Sequence, residues 1–243
     1  MTGLTRPRVC VVIPTLNESG TIGGLIESLE KLRDLYQIRI VIVDDGSTDG
    51  TIETVRESSE KHGDMTLIER GSRMGLGSAI RDGLKVALDQ EPAPNFVVTM
   101  DADLSHDPDE LPRLVEACGK DSIVVGSRYV EGGEIHGWGL YRMTVSRGAN
   151  FIARALTGVP IRDCSSGFRC YGFELMSNLL LGLQSTGYDI QIEILSKAAR
   201  RGFKIIEKPI TFRNRAAGES KMRYRDMLNF VKRVFALFLE TSE

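Results

Sequence analysis

Two rhythms of apolar residues alternate along the first half of the chain. One is the short unbroken run: Arg8-Val-Cys-Val-Val-Ile13, Ile38-Arg-Ile-Val-Ile-Val43, Asn95-Phe-Val-Val-Thr-Met100 and Ser122-Ile-Val-Val-Gly126. Each ends at Pro, Asp or Gly, the pattern of a strand buried on both faces. Met65-Thr-Leu-Ile68 is a weaker run of the same kind. The other rhythm has helical spacing. Ile22, Leu25, Ile26, Leu29 and Leu32 form one face, with Ser19 placed to cap it. Further helices are predicted from near Asp49, through Ala79, Ile80, Gly83, Leu84 and Ala87, and from Pro108 through Leu111, Leu114 and Val115. Strands alternating with helices predict an α/β fold built on a mainly parallel sheet.

The rhythm changes near residue 127. Residues 130–140 are glycine-rich and hold the single Trp, Trp138. Helices are predicted from about Tyr141 to Leu156, near 172–183 and near 189–201, with short strands at Lys204-Ile-Ile206 and Ile210-Thr-Phe212. Asp163-Cys-Ser-Ser-Gly-Phe-Arg169 reads as a polar turn, and Arg213 to Arg225 as a basic loop. Tyr224 to Leu239 is a predicted amphipathic helix carrying Leu228, Val231, Val234, Phe235 and Phe238 on one side. Without repeats or a linker, the 243 residues are expected to form one domain with an appended C-terminal half.

Composition narrows the partners. A net charge of −2 gives no global signal for nucleic acid, so any anion site must be local. Cys10, Cys118, Cys164 and Cys170 have neither CxxC nor zinc spacing and read as reduced thiols. No apolar run reaches the ~18 residues of a membrane span, which leaves peripheral attachment as the expected mode of any membrane contact.

Polar residues gather where strands end. Asp101-Ala102-Asp103 follows the fourth strand, and an extended backbone would put both carboxylates on one side. Such a pair suits Mg²⁺ or Mn²⁺, which bring phosphate oxygens with them; a helix cap and a solvated charge are the plainer alternative. Pro14-Thr-Leu-Asn-Glu18 leaves the first strand, and Glu18 fits either a base or ribose contact or a first-turn helix carboxylate. Asp44-Asp45 leaves the second, as a ribose contact or an Asx-turn. The loop Arg70 to Gly77 lacks GxxxxGK[ST] and reads as a structural turn. Arg128 leaves the fifth strand, where a guanidinium suits phosphate or a salt bridge. Arg142 and Ser146, four apart, share a helix face that suits a second phosphate. Arg215 and Lys221 flank Gly218-Glu-Ser in a loop that can serve as a lid. His62, His106 and His136 lack partners at metal spacing and read as non-catalytic.

In order, Pro14-Thr-Leu-Asn-Glu18, Asp44-Asp-Gly-Ser-Thr-Asp-Gly-Thr51, Gly75-Leu-Gly77, Met100-Asp-Ala-Asp-Leu-Ser-His106, Gly126-Ser-Arg-Tyr129, Ser146-Arg-Gly-Ala-Asn150, Asp163-Cys-Ser-Ser-Gly-Phe-Arg169 and Gly218-Glu-Ser-Lys221 resemble the family 2 glycosyltransferases of GT-A fold. The last three narrow the resemblance to the dolichol-phosphate mannose synthases. It covers roughly residues 8–225.

The resemblance implies a GT-A, Rossmann-like catalytic domain over 1–243. Its parts would be a nucleotide-sugar half (1–127), an acceptor half with lid (128–222) and an amphipathic C-terminal helix (223–243). It implies GDP-mannose against Pro14, Leu16, Glu18, Val43 and Asp45. Asp101, Ala102 and Asp103 would take the sugar diphosphate and its Mg²⁺ or Mn²⁺, with Ser105 at a further metal position. Arg215 and Lys221 would close over the diphosphate, and Arg128, Arg142 and Ser146 would hold the phosphate of a dolichyl or other polyprenyl acceptor. Leu16 stands where relatives often carry Tyr, and the Ser105 hydroxyl is a weaker ligand than an amide or carboxylate. The implied reaction is inverting mannosyl transfer at the cytoplasmic face of a membrane, with peripheral attachment or an anchoring subunit at the last helix. Alternatives are hexosyl transfer from a UDP-sugar, or a non-catalytic subunit that binds nucleotide sugar.

Overall fold

The computed structural model describes residues 6–214 and 224–239. The apolar runs become parallel strands: β1 (Arg8–Thr15), β2 (Gln37–Asp44), β3 (Met65–Glu69), β4 (Phe96–Thr99) and β5 (Ser122–Ser127). The helices between them are α1 (Ile22–Glu30), α2 (Thr51–His62), α3 (Leu76–Leu88) and α4 (Leu111–Glu116). β6 (Glu134–His136), α5 (Leu140–Thr157), β7 (Arg169–Gly172), α6 (Phe173–Leu179), α7 (Ile190–Arg200), β8 (Lys204–Pro209), β9 (Thr211–Arg213) and α8 (Tyr224–Leu239) follow. The main sheet runs β3-β2-β1-β4-β7-β5-β8, and β6 pairs with β9 beside it.

Alternation along the strands builds two cores. Cys10, Val12, Val41, Val43 and Val97 face α3, α6 and α7. Val9, Val11, Ile13, Ile38, Ile40, Ile42 and Val98 face α1 and α4. This explains why the runs are unbroken: both faces are covered, so neither parity can be polar.

Several expectations change. β7 was read as part of a turn and a following helix; it is a strand, antiparallel to both β4 and β5. Its sequence, Arg-Cys-Tyr-Gly, has no apolar run because the buried Arg169 satisfies itself on carbonyls of Ser166, Gln191 and Cys164. Ser19 does not cap α1. Its backbone N–H goes to Asp49, while Thr21 at the N-cap bonds back to Glu18. The last helix is not simply one-sided. Val234 and Leu237 are buried, whereas Val231, Phe235 and Phe238 are exposed; the Leu228 side chain lies outside the described part.

The sheet leaves no room where α3 crosses it. A Cβ on Gly83 would lie 2.4 Å from Val12 Cγ1 and 3.0 Å from Val43 Cγ2. Gly83→Ala should gain about 1 kcal/mol of helix propensity yet lose about 1–3 kcal/mol to overpacking. The expected net result is destabilisation, read as a lower urea midpoint at unchanged slope; a raised midpoint would show that the α3–sheet contact yields.

Candidate active site

β1, β2, β4 and β5 all point their carboxyl ends to one edge, where ligands bind in open α/β sheets. The first requirement there is a wall. Asp44 ties the β1 and β2 exits together: it accepts from Thr15 Oγ1 (2.9 Å), Gly46 N (3.1 Å) and Ser47 N (2.7 Å). Asp45 fixes the glycine-rich loop, accepting from Met74 N (2.8 Å) and Gly75 N (2.9 Å), with Arg70 Nη1 at 3.2 Å. That loop is therefore the structural turn the sequence predicted. Gly77 lets it abut the segment before α7, since a Cβ there would stand 2.6 Å from Gly187 O and 2.8 Å from Ser185 O.

Between these walls lies a cavity of ≈ 180 Å³. Pro14, Leu16, Glu18 and Asp45 line one side, and Asp101, Ala102 and Asp103 another. The structure thus brings most of the expected donor residues together. Val43 is the exception. Its side chain is fully buried against α3 and does not line the cavity. Asp45 has most of its acceptor capacity spent on the loop, so it shapes the pocket more than it offers itself to a ligand. Arg73 and Tyr188 also line the cavity and were not singled out from the sequence. Arg73 lay in a stretch read as a turn, and Tyr188 precedes a helix that showed only core periodicity.

The acidic corner is not an extended strand end. The chain bends after Thr99, and Leu104 takes φ 58°. Asp103 is buried, and its Oδ1 accepts from Ser105 N at 3.0 Å. Asp101 keeps 39% of its side chain exposed. The Ser105 hydroxyl is buried without a hydrogen-bond partner. An unpaired buried hydroxyl costs about 1–3 kcal/mol unless something meets it. Two carboxylates and that oxygen suit a hard cation. Among the described residues no three His, Cys, Asp or Glu side chains cluster at metal distance. His106 is buried here, stacked 5.3 Å from Phe168, and its Nδ1 accepts the Asp101 N–H at 3.2 Å. Burial lowers its pKa.

The expected acceptor residues lie on β5, the loop after it and α5. Arg128 is nearly buried, with Nε 2.8 Å from Asp163 Oδ2 and Nη2 2.8 Å from both Asp163 Oδ1 and Ser165 Oγ. The guanidinium is also 5.3 Å from the Trp138 and Phe212 rings. Burial opposes the charge, but Asp163 outweighs it and raises the Arg128 pKa. Asp163 is likewise pushed up by burial, yet Arg128 holds it below the ordinary carboxylate range. Arg142 lies 4.0 Å over Trp138, and Ser146 Oγ accepts from Tyr129 OH at 2.7 Å. Arg128 thus makes the salt bridge that was one of the two roles offered by the sequence. Arg215 and Lys221 lie outside the described residues. Asp163, Asn150 and Tyr129, which organise this side, were quoted only as motif members; their partners are distant in sequence.

An open, mainly parallel sheet with a bent acidic loop at its carboxyl edge defines the class: the glycosyltransferase GT-A fold. The chain superposes on glucosyl-3-phosphoglycerate synthase from Mycobacterium tuberculosis, solved with Mn²⁺, UDP and glucosyl-3-phosphoglycerate. The TM-score is 0.66 at 23% identity, over 96% of this chain and 79% of that one. Residues 10–180 match the model of glycosyl transferase family 2, and the chain belongs to that family. It is 38% identical to the polyprenol monophosphomannose synthase of Mycolicibacterium smegmatis over 88% of this chain and 81% of the relative. It is 37% identical to a dolichol-phosphate mannosyltransferase of Pyrococcus furiosus over 95% of this chain, spanning 63% of that protein's length.

Removing one partner of a buried pair strands the other. Asp163→Asn should cost about 3–5 kcal/mol. Because folding lowers the Asp163 pKa, its stabilisation is present above the unfolded carboxyl pKa of about 4 and is lost as pH falls below it. Denaturation from neutral pH downward should therefore show an acid loss of stability that is smaller in Asp163→Asn; equal pH slopes would refute the assignment.

Proposed function

We propose that this protein transfers mannose from GDP-mannose to a dolichyl or other polyprenyl monophosphate, with inversion. The observation that supports it most directly is the pairing, at one sheet edge, of the acidic corner with the Arg128–Arg142–Ser146 cluster. The relatives named for polyprenol- and dolichol-phosphate mannosyl transfer point the same way.

The chemistry follows from charge. Breaking the glycosidic bond leaves charge on a nucleoside diphosphate. Asp101 and Asp103, helped by Ser105, would hold Mg²⁺ or Mn²⁺ there. The ion's contribution when bound is to neutralise that charge. Arg73 lines the same cavity and adds a cation; Arg215 and Lys221 are proposed to close over the diphosphate. The nucleophile is a phosphate oxygen, already largely anionic at neutral pH with a second pKa near ~6. No strong base is needed. What the protein must do is hold two anions side by side. Arg128, braced by Asp163, and Arg142, flat on Trp138, are suited to that. One displacement on the face opposite the diphosphate yields the β-linked product.

Membrane approach is part of the proposal. No described helix is long and apolar enough to cross a membrane. Leu140, Tyr141, Phe151 and Ile152 on α5, with Val231, Phe235 and Phe238 on α8, are exposed apolar side chains on two helices that pack together. Such a surface suits an interface or an anchoring subunit at the cytoplasmic side.

A transfer assay should pair labelled GDP-mannose and UDP-glucose with a polyprenyl phosphate and divalent metal. GDP-mannose is expected to be used preferentially, and preference for UDP-glucose would overturn the donor. Asp103→Ala should lower turnover by at least about a hundredfold with the fold intact. In flotation with liposomes at low salt, Phe235→Asp should partition less than the unaltered protein; no partitioning by either, alone or with a candidate anchor, would remove the membrane assignment.

A further inference from the structure

A second cavity is separate from the one above. It lies at the opposite, amino-terminal edge of the sheet and has a volume of ≈ 310 Å³. β1 spans eight residues between the two edges, so roughly 25 Å separates them. Four arginines line it: Arg6, Arg8, Arg33 and Arg39. Among the described residues the only lining carboxylate is Asp64, which pairs with Arg33 at 3.2 Å, and Glu30 also pairs with Arg33. Among those residues Arg6, Arg8 and Arg39 have no carboxylate partner. In a chain of net charge −2 this concentration is local, not compositional.

The three unpaired guanidinia are also held in place. Arg8 Nε donates to Ala93 O at 2.7 Å, Arg39 Nη2 donates to Glu91 O at 3.1 Å, and Arg6 Nη1 donates to Arg33 O. Arg6 and Arg8 each spend one side-chain donor of five in this way; Arg39 spends two, since its Nη1 also donates to Gln90 Oε1 at 3.5 Å, and most donors remain available. Nothing in the floor supplies a counter-charge: Cys10 forms part of it, and burial pushes that thiol up to about 12, so it stays neutral. Fixed cations facing a shared concavity repel one another, and a bound anion relieves that repulsion.

We propose that this cavity is a second anion site, built for a compact diphosphate group and separate from the donor cleft. Planar, anchored arginine forks match phosphate oxygens two at a time. The volume admits a diphosphate with room for an attached group. The group can arrive as inorganic pyrophosphate or as part of a nucleoside diphosphate.

Calorimetric titration in buffer with chelator, which suppresses metal-dependent binding at the acidic corner, distinguishes these sources and tests the site. Pyrophosphate is titrated in one arm and GDP in the other, into the unaltered protein, Arg39→Gln, Arg39→Lys and Arg142→Gln. Thermal midpoints without ligand check that each variant folds. The expected result is binding that weakens at least about tenfold in Arg39→Gln, falls between in Arg39→Lys, and is unchanged in Arg142→Gln. Binding of GDP with that same pattern assigns a nucleotide ligand, and binding of pyrophosphate alone assigns the inorganic one. If Arg39→Gln fails to fold, Arg6→Gln replaces it with the same expected loss. Binding lost in Arg142→Gln but kept in Arg39→Gln, or no binding of either probe at millimolar concentration, overturns the proposal.

Discussion

The Arg128–Asp163 pair is the constraint on which the β5–α5 side of the candidate site rests. Asp163 is fully buried and takes Arg128 through its backbone N–H as well as its side chain, and it also accepts from Ser165 N and Ser166 N. One carboxylate therefore binds the end of β5 to the loop that enters β7. Both side chains are buried, and the two-point contact fixes the guanidinium plane. Asn150 extends the arrangement into α5 by donating to Ser165 Oγ and accepting from Cys164 N. Helix, strand and loop are thus oriented by side chains, where hydrophobic contact alone would allow sliding.

The donor side uses the same device with a different result. Asp44 and Asp45 are both engaged, yet they hold backbone N–H groups, not a cation's full fork. They set the shape of a loop, and the loop sets the width of the cavity. The acidic corner differs again. Asp103 makes a local bond to Ser105 N, while Ser105 Oγ has no partner. Of these two acidic stretches, only this one has a buried hydroxyl beside it without a partner.

What could be read from the sequence follows the physics of each segment. β1, β2, β4 and β5 were legible because burial on both faces leaves unbroken apolar runs. The helices α1, α3 and α4 were legible from one-sided spacing. β7 was not, because its largest side chain is an arginine buried on carbonyl oxygens that only the folded chain assembles. That Asp101, Asp103 and Glu18 would meet at one sheet edge was legible from their places after strands. Val43 was misplaced because the residue ending a strand can face either core or cleft, and register decides. Asp163 was legible as a motif member but not as a partner of Arg128, since the two are far apart in the chain.

Glu193 connects two parts of the molecule. Buried in α7, it accepts from Gln184 N and Ser185 N, and Arg233 of α8 reaches it at 2.7 Å. Ser185 belongs to the segment that Gly77 permits to lie against the glycine-rich loop. The carboxylate that anchors the final helix is thus the same one that steadies a wall of the cavity, and one side chain ties the end of the fold to its candidate site.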